Sequence, residues 1–111
     1  MGGSYPHRSP LRRAARFDGA ALYRHTSDGR WQDMTAGEVR EARRFIESQR
    51  TTAGPFELAI GGTRRRDDWD RERALIAELA DAGATWWEEW IPPDEPRVVR
   101  AAIARGPLRI D

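Results

Sequence analysis

The sequence has no cysteine and no lysine, and no apolar run in it approaches the roughly 20 residues of a membrane-spanning helix. Without cysteine there is no disulfide framework and no thiolate metal site, so the fold must be held by packing alone. The N-terminus lacks the apolar core of a signal peptide, which makes the cytoplasm the expected compartment and a membrane an unexpected partner. Charge of one sign is also scarce. Nineteen arginines against eighteen acidic residues leave a net charge of +1, with both signs scattered along the chain. That balance argues against a polyanion-binding face, so nucleic acid is not an expected partner.

Tryptophan, by contrast, is abundant. Three of the five tryptophans fall within five residues of the stretch Ala82-Gly83-Ala84-Thr85-Trp86-Trp87-Glu88-Glu89-Trp90-Ile91, between a helix-stopping glycine and Pro92-Pro93. Such a segment predicts a buried strand with a hard stop. Period-two alternation puts Thr85, Trp87, Glu89 and Ile91 on one side and Trp86, Glu88 and Trp90 on the other. Both faces are then aromatic and acidic, which suits a strand of a parallel sheet. The carboxylates of Glu88 and Glu89 have two readings: functional acids facing an interior, or acids paired with arginines at a strand end.

The other elements follow in order. Ser9 as N-cap and Pro10 at the first helical position predict a short helix over residues 10–17. After the turn Asp18-Gly19, Ala20-Ala21-Leu22-Tyr23 reads as a strand, and residues 25–33 as a polar loop. Thr35-Ala36-Gly37-Glu38 is a capping box, followed by an apolar stripe of Val39, Ala42, Phe45 and Ile46. The arginines opposite that stripe read as a solvated face. Phe56-Glu57-Leu58-Ala59-Ile60 alternates as a strand and meets Gly61-Gly62-Thr63-Arg64-Arg65-Arg66. A glycine pair, a hydroxyl and a basic cluster after a strand suit a phosphate, or else a tight turn with solvated arginines. Asp67 and Asp68 cap a helix to Ala82 with Trp69, Ile76, Leu79 and Ala80 inward; Asp94 and Pro96 open a last helix that Gly106-Pro107 ends.

Strands alternating with helices predict an α/β fold with parallel pairing through right-handed crossovers. The 111 residues form one domain, with residues 1–8 a flexible start and 108–111 a flexible tail. About three parallel strands with flanking helices amount to an incomplete TIM-barrel-like unit, since a whole barrel needs about 250 residues. Such a unit leaves open sheet edges and a helix-free face, so a homo-oligomer or a complementing chain is the expected partner. In that setting His25, just past the first clear strand, is a candidate active-site imidazole, or simply an exposed histidine in a polar loop.

The wording Ala-Gly-Ala-Thr-Trp-Trp-x-Glu, with the proline turn, short helix and Arg105-Gly106-Pro107 after it, resembles the C-terminal end of luciferase-like, flavin-dependent oxidoreductases and monooxygenases. Gly2-Gly3-Ser4 with Pro10-Leu11-Arg12-Arg13-Ala14-Ala15-Arg16-Phe17-Asp18-Gly19 looks like the family's glycine pair, arginine-rich helix and Asp-Gly turn, and Thr35-x-x-Glu38-Val39-Arg40 like its next helix start. The resemblance runs almost end to end but covers only the last part of the family's chain. It implies FMN or deazaflavin F420 as cofactor, with Gly2, Gly3, Ser4 and Arg8 at its phosphate, and makes Glu89 the family's glutamate. Gly61 and Gly62 are further candidate cofactor contacts. No metal site is expected. The implied function is a C-terminal barrel segment that does not catalyse alone; the alternative is a non-catalytic α/β module that works by association.

Overall fold

The computed structural model describes residues 2–62 and 67–110. The elements in chain order are β1 (Gly2–Tyr5), α1 (Arg8–Ala14), β2 (Gly19–His25), β3 (Trp31–Gln32), α2 (Ala36–Gln49), β4 (Glu57–Gly62), α3 (Trp69–Asp81), β5 (Trp86–Glu89) and α4 (Pro96–Arg105). β1, β2, β4 and β5 lie side by side in chain order, and every pairing among them is parallel. Neighbours in the sheet are thus successive strands, each joined to the next through a helix. The right-handed rule for such crossovers then puts the linking helices on the same side.

Side-chain alternation divides the sheet accordingly. One ladder row runs Gly3, Leu22, Ile60 and Trp87, and the next runs Gly2, Ala21, Ala59 and Trp86. Leu22, Leu58 and Ile60 are sealed against Leu11, Ala14, Val39, Ala42, Ile46 and Leu79 from the first three helices, with Trp87 packed at the margin of the same cluster. Burying an aliphatic side chain of this size stabilises by roughly 1.5–3 kcal/mol. The other row has no helix over it among the described residues. Trp86 there is 64 % exposed.

Local chemistry fixes the connections. Thr35 caps α2 through the full capping box: its Oγ1 accepts from the Glu38 N–H at 3.2 Å, and Glu38 Oε2 accepts from the Thr35 N–H at 2.9 Å. Asp68 caps α3 by accepting from the Arg71 N–H. Thr85 ties the start of β5 to β4, its Oγ1 accepting from the Leu58 N–H at 2.7 Å and its own N–H and hydroxyl donating to the Leu58 carbonyl at 2.8 and 3.3 Å.

Several expectations shift. Gly2–Tyr5, expected as part of a loose start, is an edge strand, and the first helix begins at Arg8. The parallel strands number four, not about three. The loop after His25 is a hairpin: Thr26 and Arg30 close it at 2.8 Å, Gly29 takes φ +83°, and β3 returns antiparallel to β2. β4 runs through Gly61 to Gly62, so the glycines are strand residues and not a turn. The tryptophan span is a strand on the expected faces, but it lies at a sheet edge and is not buried. The last residues fold back, with Arg73 Nε donating to the Arg109 carbonyl at 3.2 Å.

Arg43 is the one member of the arginine face on α2 that turns inward. It donates to the Gly83 carbonyl at 2.6 Å and to Glu47 at 2.9 Å, locking α2 to the turn between α3 and β5. Glu72 is a second surprise. It sits on the inward stripe of α3 with Ile76 and Leu79 and is buried.

Candidate functional site

In parallel α/β sheets, ligands gather beyond the C-terminal ends of the strands, where loops converge and the backbone is unpaired. Here that end carries a shallow pocket of about 230 Å³ lined by Trp31, Gly61, Gly62, Glu88, Glu89 and Trp90. β4 supplies the glycines and β5 the carboxylates, while the β2–β3 hairpin swings Trp31 over from the side. Trp31 and Trp90 are each about half exposed.

His25 sits one step away. Its ring lies 4.6 Å from Trp31 and 5.2 Å from Tyr23, and Tyr23 lies 4.8 Å from Trp31, so the three rings form a tilted cluster on the helix-free face. Stacking of this kind is worth about 0.5–1.5 kcal/mol per pair and fixes the imidazole against the wall of the pocket. The hairpin that positions it is held by Thr26, whose hydroxyl donates to Asp28; that bond pulls the Asp28 carboxyl below its usual range. Next to the cluster the sheet floor is lined by the small residues Ala21, Ala59 and Gly61, with Trp86 rising at the far side and its Nε1 donating to Glu57 at 3.1 Å.

The site residues expected from the sequence therefore fall in two groups. His25, Gly61, Gly62, Glu88 and Glu89 come together at the ends of β2, β4 and β5. Gly2, Gly3, Ser4 and Arg8 lie at the opposite edge of the sheet, on β1 and the start of α1. Thr63, Arg64, Arg65 and Arg66, the rest of the sequence motif after the β4 glycines, lie outside the described residues. Trp31 and Trp90 were not singled out from the sequence as site residues; the Ser-Asp-Gly turn before Trp31 was the signal that it is carried back along β2.

Packing alone accounts for two of the four candidate glycines, Gly3 and Gly62. A Cβ on Gly3 would stand 2.9 Å from Pro10 Cβ, so this glycine lets α1 close on β1. A Cβ on Gly62 would fall 2.1 Å from the Trp87 ring. Arg8 is turned to α2, with its guanidinium 4.6 Å over the Phe45 ring and 4.0 Å from Glu41. Gly2, by contrast, is open, since a Cβ there would meet nothing within 4 Å. Among the described residues there is no group of three or more His, Asp or Glu able to hold a metal ion.

Beyond the pocket, Tyr5 is the one side chain among the described residues whose titration is strongly displaced. Partial burial, a hydrogen bond to Glu41 at 2.8 Å and the negative charges of Glu41 and Glu38 push its phenol up to about 12, with Arg24 opposing. Tyr5 thus belongs to a polar clasp between β1, β2 and α2, completed by the ion pair of Arg24 with Glu38.

No family model matches the chain, and neither a curated protein nor a solved structure does. No helix among the described residues is long and apolar enough to cross a membrane.

Proposed function

We propose that this chain is a β/α-barrel segment of the luciferase-like, flavin-dependent oxidoreductase class that acts in association and does not catalyse alone. One observation carries the barrel part of the reading. Four successive parallel strands lie side by side in chain order with their connecting helices packed on one face, a winding that suits a barrel segment better than a doubly wound sheet. A sheet wound this way keeps its other face for the interior of a ring, and that face here carries Tyr23, His25, Trp86 and Glu88. The luciferase-like part rests on the sequence wording alone, above all Thr85-Trp86-Trp87 with Glu89.

A second reading is favoured by the glycines. Because Pro10 and Trp87 explain Gly3 and Gly62 without a cofactor, the chain also suits a non-catalytic module that works purely by association, in the cytoplasm. Titrating FMN and the deazaflavin cofactor with the purified protein, while following flavin fluorescence and thermal stability, separates the two. The flavin reading expects a saturable fluorescence change in the associated form. No response to either cofactor in any association state would leave the module.

A further inference from the structure

We propose that the partner is a second copy of this chain, and that two copies close one eight-stranded parallel ring about a two-fold axis, with β5 of each beside β1 of the other. The inference rests on the barrel-segment part of the function proposed above and is independent of its flavin part.

Four observations lead there. The first is number: the described residues supply four parallel strands, each followed by a helix, which is half of an eight-stranded ring. Two-fold closure is the commonest symmetry of homo-oligomers and here generates two identical seams. The second is the state of the edges. Gly2–Tyr5 and Trp86–Glu89 end the sheet on its two sides and have no proline inside, so each has N–H and C=O groups with no strand partner among the described residues. Such edges recruit another strand unless they are blunted.

The third is charge. The flank of β1 is basic through Arg12 and Arg13 on α1, and the turn after β5 is acidic through Asp94 and Glu95. Arg12 and Arg13 are exposed and make no ion pair with the described residues. Like edges brought together would repel, whereas unlike edges attract.

The fourth is α4. It has no buried residue, and Ile103 is 72 % exposed although Val98, Val99 and Ala102 on the same helix are partly covered. In a ring this helix lies at the seam, where the second copy supplies the missing cover for its apolar side. Ile110 lines one cavity with Trp86 and Trp87 at the N-terminal end of β5, which leaves residues 88–91 for the seam. A shear of about eight staggers the register by about four residues over half a circuit, which suits an offset contact of this kind. The pocket of Trp31, Glu88 and Trp90 then lies at the seam, and the β1–α1 turn of the second copy forms its open wall.

The absence of cysteine makes introduced thiols unique. Ser4→Cys marks the β1 edge and Trp90→Cys the end of the β5 edge. Within one copy these edges are three strand spacings apart, about 14 Å. Treated with a short bismaleimide, the double variant S4C/W90C is expected to give a covalent dimer, while S4C alone and W90C alone do not. A dimer trapped by either single variant means that like edges meet, and overturns the ring; so does a double variant that stays monomeric.

As a second measurement, R12E/R13E is expected to weaken association at least 10-fold with an unchanged far-ultraviolet circular dichroism spectrum. Unchanged association in that variant would contradict the charge argument. The expected cross-links without any flavin response remove only the flavin reading. Flavin binding by a chain that never cross-links removes only the ring.

Discussion

The two faces of the sheet differ more than any other pair of regions in the molecule. On one face Leu22, Leu58 and Ile60 of β2 and β4 are closed off by three helices; on the other, Trp86 and Glu88 of the neighbouring strand β5 stand in solvent. Both faces come from the same alternating segments, so the difference is one of winding. Successive parallel strands send their helices to one side. The lesson is a division of labour: one face holds the fold together, and the other keeps aromatic and acidic groups available.

Substitutions can break that comparison, and the largest effect belongs to the covered face. Leu58→Ala removes a fully buried side chain from the middle of the core and is expected to cost about 2–5 kcal/mol in urea unfolding. A cost near zero would mean that the covered face does not carry the stability. Gly62→Ala comes next. Its new methyl collides with the Trp87 ring, and an overpacking cost of about 1–3 kcal/mol is expected. Gly2→Ala serves as the control, because a Cβ there meets nothing within 4 Å and stability should hold.

Thr35→Ala removes half of the capping box and is expected to lower stability by about 1 kcal/mol, read as a lower urea midpoint at an unchanged slope. On the open face, Trp86→Ser should change stability by no more than about 0.5 kcal/mol despite deleting the largest side chain type. Equal costs for Trp86→Ser and Leu58→Ala would erase the distinction between the faces.

The pH dependence is confined to the alkaline range. The Tyr5 phenol ionises near 10.0 when free and at about 12 in the fold, so the folded state holds its proton more tightly. Its contribution is intact below pH 10.0 and is lost as pH rises towards about 12. Thermal unfolding of the parent should therefore fall in that window, and Tyr5→Phe should flatten the fall.

Much of this architecture was legible in the sequence. The capping box at Thr35 and the alternation of Phe56-Glu57-Leu58-Ala59-Ile60 placed α2 and β4, because both signals are local. The face assignment of Trp86 and Trp87 followed from period two alone. Non-local features were not legible. Nothing in the tryptophan span says that it lies at an edge, since bulk and alternation look the same in a central strand. The β3 hairpin is two residues long, too short to show a period. Arg43 reads as solvated until Gly83 is brought beneath it from forty residues away. Of the site, the grouping of Gly61 and Gly62 with Glu88 and Glu89 follows from strand order, which spacing in the chain does not reveal.

The whole account depends on the uncovered face being completed by association. Sedimentation equilibrium over a range of concentrations tests this most directly. The account predicts a mass rising to twice the 12.7 kDa of one chain. A mass that stays at 12.7 kDa at every concentration contradicts it.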